Sequence, residues 1–125
     1  MSEQTQAKVY DLEERTLQFA RRVRLFVKSL PRTVGNFEDS KQVIRSSGSI
    51  EANYIEANES LSAKDRVMRM KIARKEAKET RYWLRLVDVG TAETTDLVCR
   101  ELIQEASELM NILGAILRKL DLPRE

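Results

Sequence analysis

Leu12, Thr16, Phe19, Val23, Phe26 and Leu30 recur at alternating steps of four and three, the rhythm of one helix face turned to a core. Ala20 and Val27 widen that stripe, and Pro31 ends it by removing a backbone donor. Asp11 can cap the start, with Glu13 and Glu14 in the first turn where the helix dipole favours anions. Residues 1–10 are polar and aperiodic and read as a frayed lead-in.

The rhythm resumes at Phe37 and runs through Ser40, Ile44, Ser47, Ile50 or Glu51, Tyr54 and Leu61, with few large apolar groups. Asn36 is the expected cap. Inside this second helix Ser46-Ser47-Gly48-Ser49 has low helix propensity, with Gly alone about 1 kcal/mol worse than Ala. Such a run needs a tertiary reason, and close approach of a second backbone supplies one. Ser62-Ala63-Lys64-Asp65 has the capping-box form and opens a third helix, which Gly90 terminates. Thr91 or Thr94 opens a fourth through Leu97, Val98, Leu102, Ala106, Leu109, Leu113, Ile116 and Leu120, closed by Asp121-Leu122-Pro123. The pattern predicts one domain over 1–125 with helices at about 12–30, 37–60, 63–89 and 94–120. Short connections make neighbours antiparallel, so the predicted fold is all-α, an antiparallel up-down-up-down four-helix bundle.

Helices two and three each carry a polar row where a bundle helix usually offers apolar residues. With the hairpin centred near Leu61-Ser62, Arg45 faces Glu79, Ser49 faces Lys75, and Asn53 faces Lys71 with Glu56 a turn away. The rows Arg45, Ser49, Asn53, Glu56 and Lys71, Lys75, Glu79 thus match charge across the contact. They predict a partly buried seam that fixes register, against the plainer alternative of exposed pairs worth about 0–1 kcal/mol each.

These same positions carry a resemblance. Arg45-Ser46, Ser49-Ile50, Asn53-Tyr54, Glu56-Ala57, Ser62, Lys64-Asp65, Lys71-Ile72-Ala73, Lys75-Glu76-Ala77, Glu79-Thr80 and Tyr82-Trp83-Leu84 resemble the four-helix-bundle family named after the 23S rRNA intervening-sequence protein. The Asp11-Leu12-Glu13 segment resembles the family's start, while Arg66 stands where that pattern has an aromatic residue. The resemblance implies a bundle that assembles as a homopentamer, without an enzyme activity. A related branch, the accessory protein of diversity-generating retroelements, is a basic pentamer that binds nucleic acid and a reverse transcriptase.

Charge is segregated between helices although nearly balanced over the chain. Lys+Arg number 22 and Asp+Glu 20, a net charge of +2. Residues 8–30 and 62–89 are net basic, whereas 36–61 and 90–125 are net acidic, so the sign alternates around an up-down bundle. Neighbouring helices attract, and a copy could meet another head to tail. Lys71, Arg74, Lys78, Arg81 and Arg85 form a basic row about 21 Å long on helix three. With Arg21, Arg24 and Lys28 of helix one it offers an alternative role, contact with RNA or DNA through phosphates, with Tyr82 and Trp83 available to stack on bases. The plainer reading is a solvated face partly paired with Glu56, Glu76 or Glu79.

Catalysis finds little support. No histidine exists, which removes Ser-His-Asp, Cys-His and ordinary zinc sites, and Glu-x-x-His pairs for a di-iron bundle are absent. No Gly-rich phosphate cradle occurs either. No catalytic residue, metal, cofactor or small-molecule substrate is expected; Glu56, Glu76 and Glu79 sit among cations and are read as paired. Cys99 is the lone cysteine, expected as a buried inert thiol in a reducing compartment. No signal peptide or membrane-length apolar run is evident, so a soluble cytoplasmic protein without membrane contact is expected.

Overall fold

The computed structural model describes residues 3–120, with side chains from Leu12 onward. The stripes fold into four helices: α1 (Glu3–Lys28), α2 (Val34–Asn58), α3 (Ala63–Leu86) and α4 (Glu93–Leu120). Each packs on its neighbours in the cyclic order α1, α2, α3, α4, while the backbones of the diagonal pairs α1 with α3 and α2 with α4 do not approach each other. The α2–α3 contact is the most extensive and α1–α4 the least. Partner numbers rise along one helix and fall along the next, as in Arg15 with Glu105 and Arg22 with Glu101, so the bundle is antiparallel, up-down-up-down. Among the described residues there is no strand.

One continuous core runs along the axis. Phe19 and Val23 from α1, Val43 and Ile50 from α2, Met70 and Leu84 from α3, and Leu102, Leu109 and Leu113 from α4 are all essentially inaccessible. The small residues Ala57, Ala73, Ala77 and Ala106 sit between them and set the helix spacing.

Helix ends differ from expectation in informative ways. α1 begins at Glu3, so Asp11 lies inside the helix and residues 3–10 are no frayed lead-in. α2 is capped by Thr33, whose hydroxyl accepts from the Asn36 N–H at 3.0 Å; Asn36 is therefore inside the first turn. The Ser62 cap forms as expected, accepting from the Asp65 N–H at 3.0 Å. α3 stops at Leu86, three residues short of Val89, and Gly90 takes its left-handed φ of 72° in the following turn. There a Cβ on residue 90 would stand 2.7 Å from Pro31, so backbone angle and space both require glycine. α4 starts where the Asp96 N–H reaches the Ala92 carbonyl, with neither Thr91 nor Thr94 as cap. The Asp121-Leu122-Pro123 stop lies outside the described residues.

Candidate functional site

The α2–α3 seam is built around Arg45. Its guanidinium reaches Glu76 and Glu79, each at 3.4 Å. Glu79 sits at the exposed mouth of the contact, but Glu76 is 8% exposed. Lys75 approaches the other Glu76 oxygen at 3.9 Å. The Arg45–Glu79 pair has the weak character of surface ion pairs. Glu76 is the deeper anchor, a buried carboxylate that depends on Arg45.

Directly inside this cluster lies the closest polar contact of the two helices. Thr80 Oγ1 is 2.8 Å from Ser46 Oγ and 2.7 Å from the Glu76 carbonyl oxygen, and both side chains are fully buried. The near approach of α2 and α3 rests on Ser46. Gly48 points away, toward α1, where the guanidinium of Arg24 lies over it.

The rest of the expected seam turns inward on its own helix. Ser49 donates to the Arg45 carbonyl and Asn53 to the Ser49 carbonyl, both at 2.9 Å. Among the described residues neither reaches Lys75 or Lys71, and Glu56 meets no lysine. These hydroxyl and amide groups face an edge open to water, where the local helix carbonyl is the nearer acceptor. Lys71 is exposed.

The basic residues fall into two separate groups. Lys71, Arg74, Lys78 and Arg85 are exposed on the outer side of α3, with Arg81 partly buried. Arg74 leans onto α4 beside Gly114, its Nε 3.4 Å from where a Cβ of residue 114 would be. Arg21, Arg24 and Lys28 are exposed on α1. Because α1 and α3 are diagonal, the α1 group cannot extend the α3 row as expected; it forms a patch of its own. None of these eight cations pairs with a carboxylate among the described residues. Tyr82 is exposed and meets Trp83 edge-on, ring centres 4.9 Å apart, while Trp83 packs against the core.

Three features escaped the sequence reading as parts of any site. Glu76 pairs with cations as expected, but its burial was missed, although it falls within the inward stripe Ala73, Ala77, Thr80, Leu84, a signal that could have marked it. Asn36 is 4% exposed and ties two turns together: its amide donates to the Pro31 and Asp88 carbonyls at 2.9 and 2.8 Å, and its oxygen accepts from the Asp88 N–H at 2.9 Å. Arg15 grips Glu105 through two nitrogens at 2.7 and 2.8 Å and Glu108 at 2.8 Å, which pushes its pKa up; the Gln104 amide and then Arg15, both donating to Glu108, lower the pKa of that carboxyl. Cys99 is buried, its thiol 3.2 Å from the Leu84 carbonyl, and burial pushes its pKa up. Such a thiol is held in its unreactive form.

The described residues hold no group of three or more Cys, Asp or Glu side chains placed to hold a metal ion. None of the described helices is long and apolar enough to cross a membrane. A family model described as 23S rRNA-intervening sequence protein matches residues 8–115. The crystal structure of a protein of unknown function from the S23 ribosomal protein family of Bacteroides thetaiotaomicron VPI-5482 is similar, with 32% identity and a TM-score of 0.74. That similarity covers 89% of this chain and 98% of the other. No functionally curated protein matches the chain significantly.

Proposed function

The chain belongs to the 23S rRNA-intervening sequence protein family, and from that premise we propose that it is a non-catalytic, self-assembling bundle with a structural or adaptor role. The observation that carries this reading is a second apolar stripe on α3. Met68, Tyr82 and Leu86 are exposed, with Ile72 partly exposed beside them, on the outer side of a helix whose inner side is already packed, and no element among the described residues covers the three exposed ones. Phe37 and Ile55 are exposed on α2, on a different flank of the molecule. Two unlike apolar strips suit a heterologous contact, which closes into a ring when the rotation allows. A homopentamer is the ring the family resemblance implies. A reducing cytoplasm suits the lone buried thiol of Cys99.

The measurement is mass in solution at micromolar concentration, by light scattering or native mass spectrometry. A discrete oligomer is the expected result, five copies in its sharpest form. A monomer ends the reading.

A second reading has its own observation: the α3 row is free of ion pairs with described carboxylates and borders the exposed ring of Tyr82. Phosphates would meet Lys71, Arg74, Lys78, Arg81 and Arg85, and a base would stack on Tyr82. Single-stranded RNA and DNA oligomers titrated at low and moderate salt decide it. Binding that weakens steeply with salt, and weakens again in Arg74→Gln/Lys78→Gln, is expected; no binding at low salt rules it out.

A further inference from the structure

The surface of α3 nearest the α2–α3 turn is both apolar and positively charged. Val67, Met68 and Ile72 line an open groove edged by Lys64, Lys71 and Lys75. Met68 is 46% exposed there. Lys64 and Lys71 meet no carboxylate among the described residues, and the groove's one acid, Asp65, accepts a hydrogen bond from Ser60 at 2.9 Å. A helix face with this make-up fits an apolar partner fringed by acids.

The chain carries such a surface on another flank. Where α1 meets α2, Glu51 is partly buried near Glu13 and Glu14, and no described cation pairs with any of the three. Burial and the charges of Glu13 and Glu14 push the Glu51 carboxyl up, the sign of a carboxylate lacking a counter-charge. Ile55, one turn further along α2, is 41% exposed.

The two surfaces also lie at the same height. The contacts of Arg45 with Glu79 and Ser46 with Thr80 set the hairpin register. Carried about one and a half turns along, that register puts Glu51 level with Ala73–Lys75, and a turn further it puts Ile55 level with Arg69–Lys71. Copies related by rotation about an axis parallel to the bundle touch at equal heights, so each copy's basic groove can meet its neighbour's acidic flank all the way round.

We infer that the Lys64–Lys75 face of α3 in one copy docks on the α1–α2 flank of a second copy, Lys71 and Lys75 pairing with Glu51 and Glu13 while Met68 and Ile72 cover Ile55. The inference rests on the self-assembly reading and specifies its interface. Charge-swap variants test it by the concentration at which the assembly dissociates. Lys71→Glu/Lys75→Glu, at exposed positions, and Glu51→Lys each place like charges together and raise that concentration by roughly tenfold or more. The triple variant carrying all three substitutions restores complementarity and returns it to within about threefold of the wild type. Circular dichroism checks that each variant keeps its helix content. An assembly unchanged by the double variant, or not recovered by the triple, overturns this interface and leaves self-assembly standing. A monomeric wild type overturns both.

Discussion

Asn36 shows what one buried amide can hold. Its three hydrogen bonds join the α1–α2 turn at Pro31 to the α3–α4 turn at Asp88, two segments with no other side-chain bond between them among the described residues. Asn36→Ala leaves the Pro31 and Asp88 backbone groups without their partner and costs about 2–3 kcal/mol, which lowers the melting temperature by roughly 10 °C. Asn36→Asp keeps the acceptor and loses both donors, so it recovers little. Thermal unfolding followed by circular dichroism measures both, and an Asn36→Ala protein melting with the wild type refutes the tie. The residue type was legible and its work was not. An Asn before a helical stripe is most simply a cap, and nothing local announces a partner 52 positions away.

Among the elements, α2 depends most on its partner. It has few large apolar residues, and Ser46 and Ser47 are buried where a bundle helix ordinarily places leucine. Its contact with α3 offsets this through proximity, the Ser46–Thr80 bond and the Arg45 cluster. Arg45→Ala and Glu79→Ala therefore couple, and Arg45→Ala with Glu76→Gln couples more strongly, because Glu76 is the buried member. Coupling of about 0.5 kcal/mol for the first pair and about 1 kcal/mol for the second is expected from double-mutant cycles in urea. Equal couplings, or none, would return the cluster to ordinary surface pairing. The periodic stripes and the antiparallel register were readable because repeats of three and four leave few alternatives, and the hairpin centre put Arg45 opposite Glu79. The rotation of each helix about its own axis was less readable. A shift of a few tens of degrees turns Gly48 to α1, brings Ser46 to α3 and sends Ser49 and Asn53 back to their own backbone.

Across the whole molecule, cohesion is uneven. The α1 backbone comes close only to α2 and α4, and its contact with α4 is the thinnest in the bundle. Arg15 spans that gap with a two-nitrogen grip on Glu105 and a further bond to Glu108, and Arg22–Glu101 at 3.1 Å repeats the link two turns along. Helices with the least packing open first, so α1 should exchange its amide hydrogens sooner than the α2–α3 hairpin. Removing the grip sharpens the contrast. Arg15 and Glu105 are only partly exposed, at 31% and 19%, and the grip is geometrically favourable, so Arg15→Ala costs about 1 kcal/mol. That free energy appears locally, as roughly fivefold faster exchange along α1 from Leu12 to Lys28, with amides near Ser46 and Thr80 unchanged. Arg15→Lys keeps the charge and loses the fork, so its effect lies between the two. Uniform acceleration over all four helices would mean that the bundle opens as one unit and that α1 is no separate layer of stability.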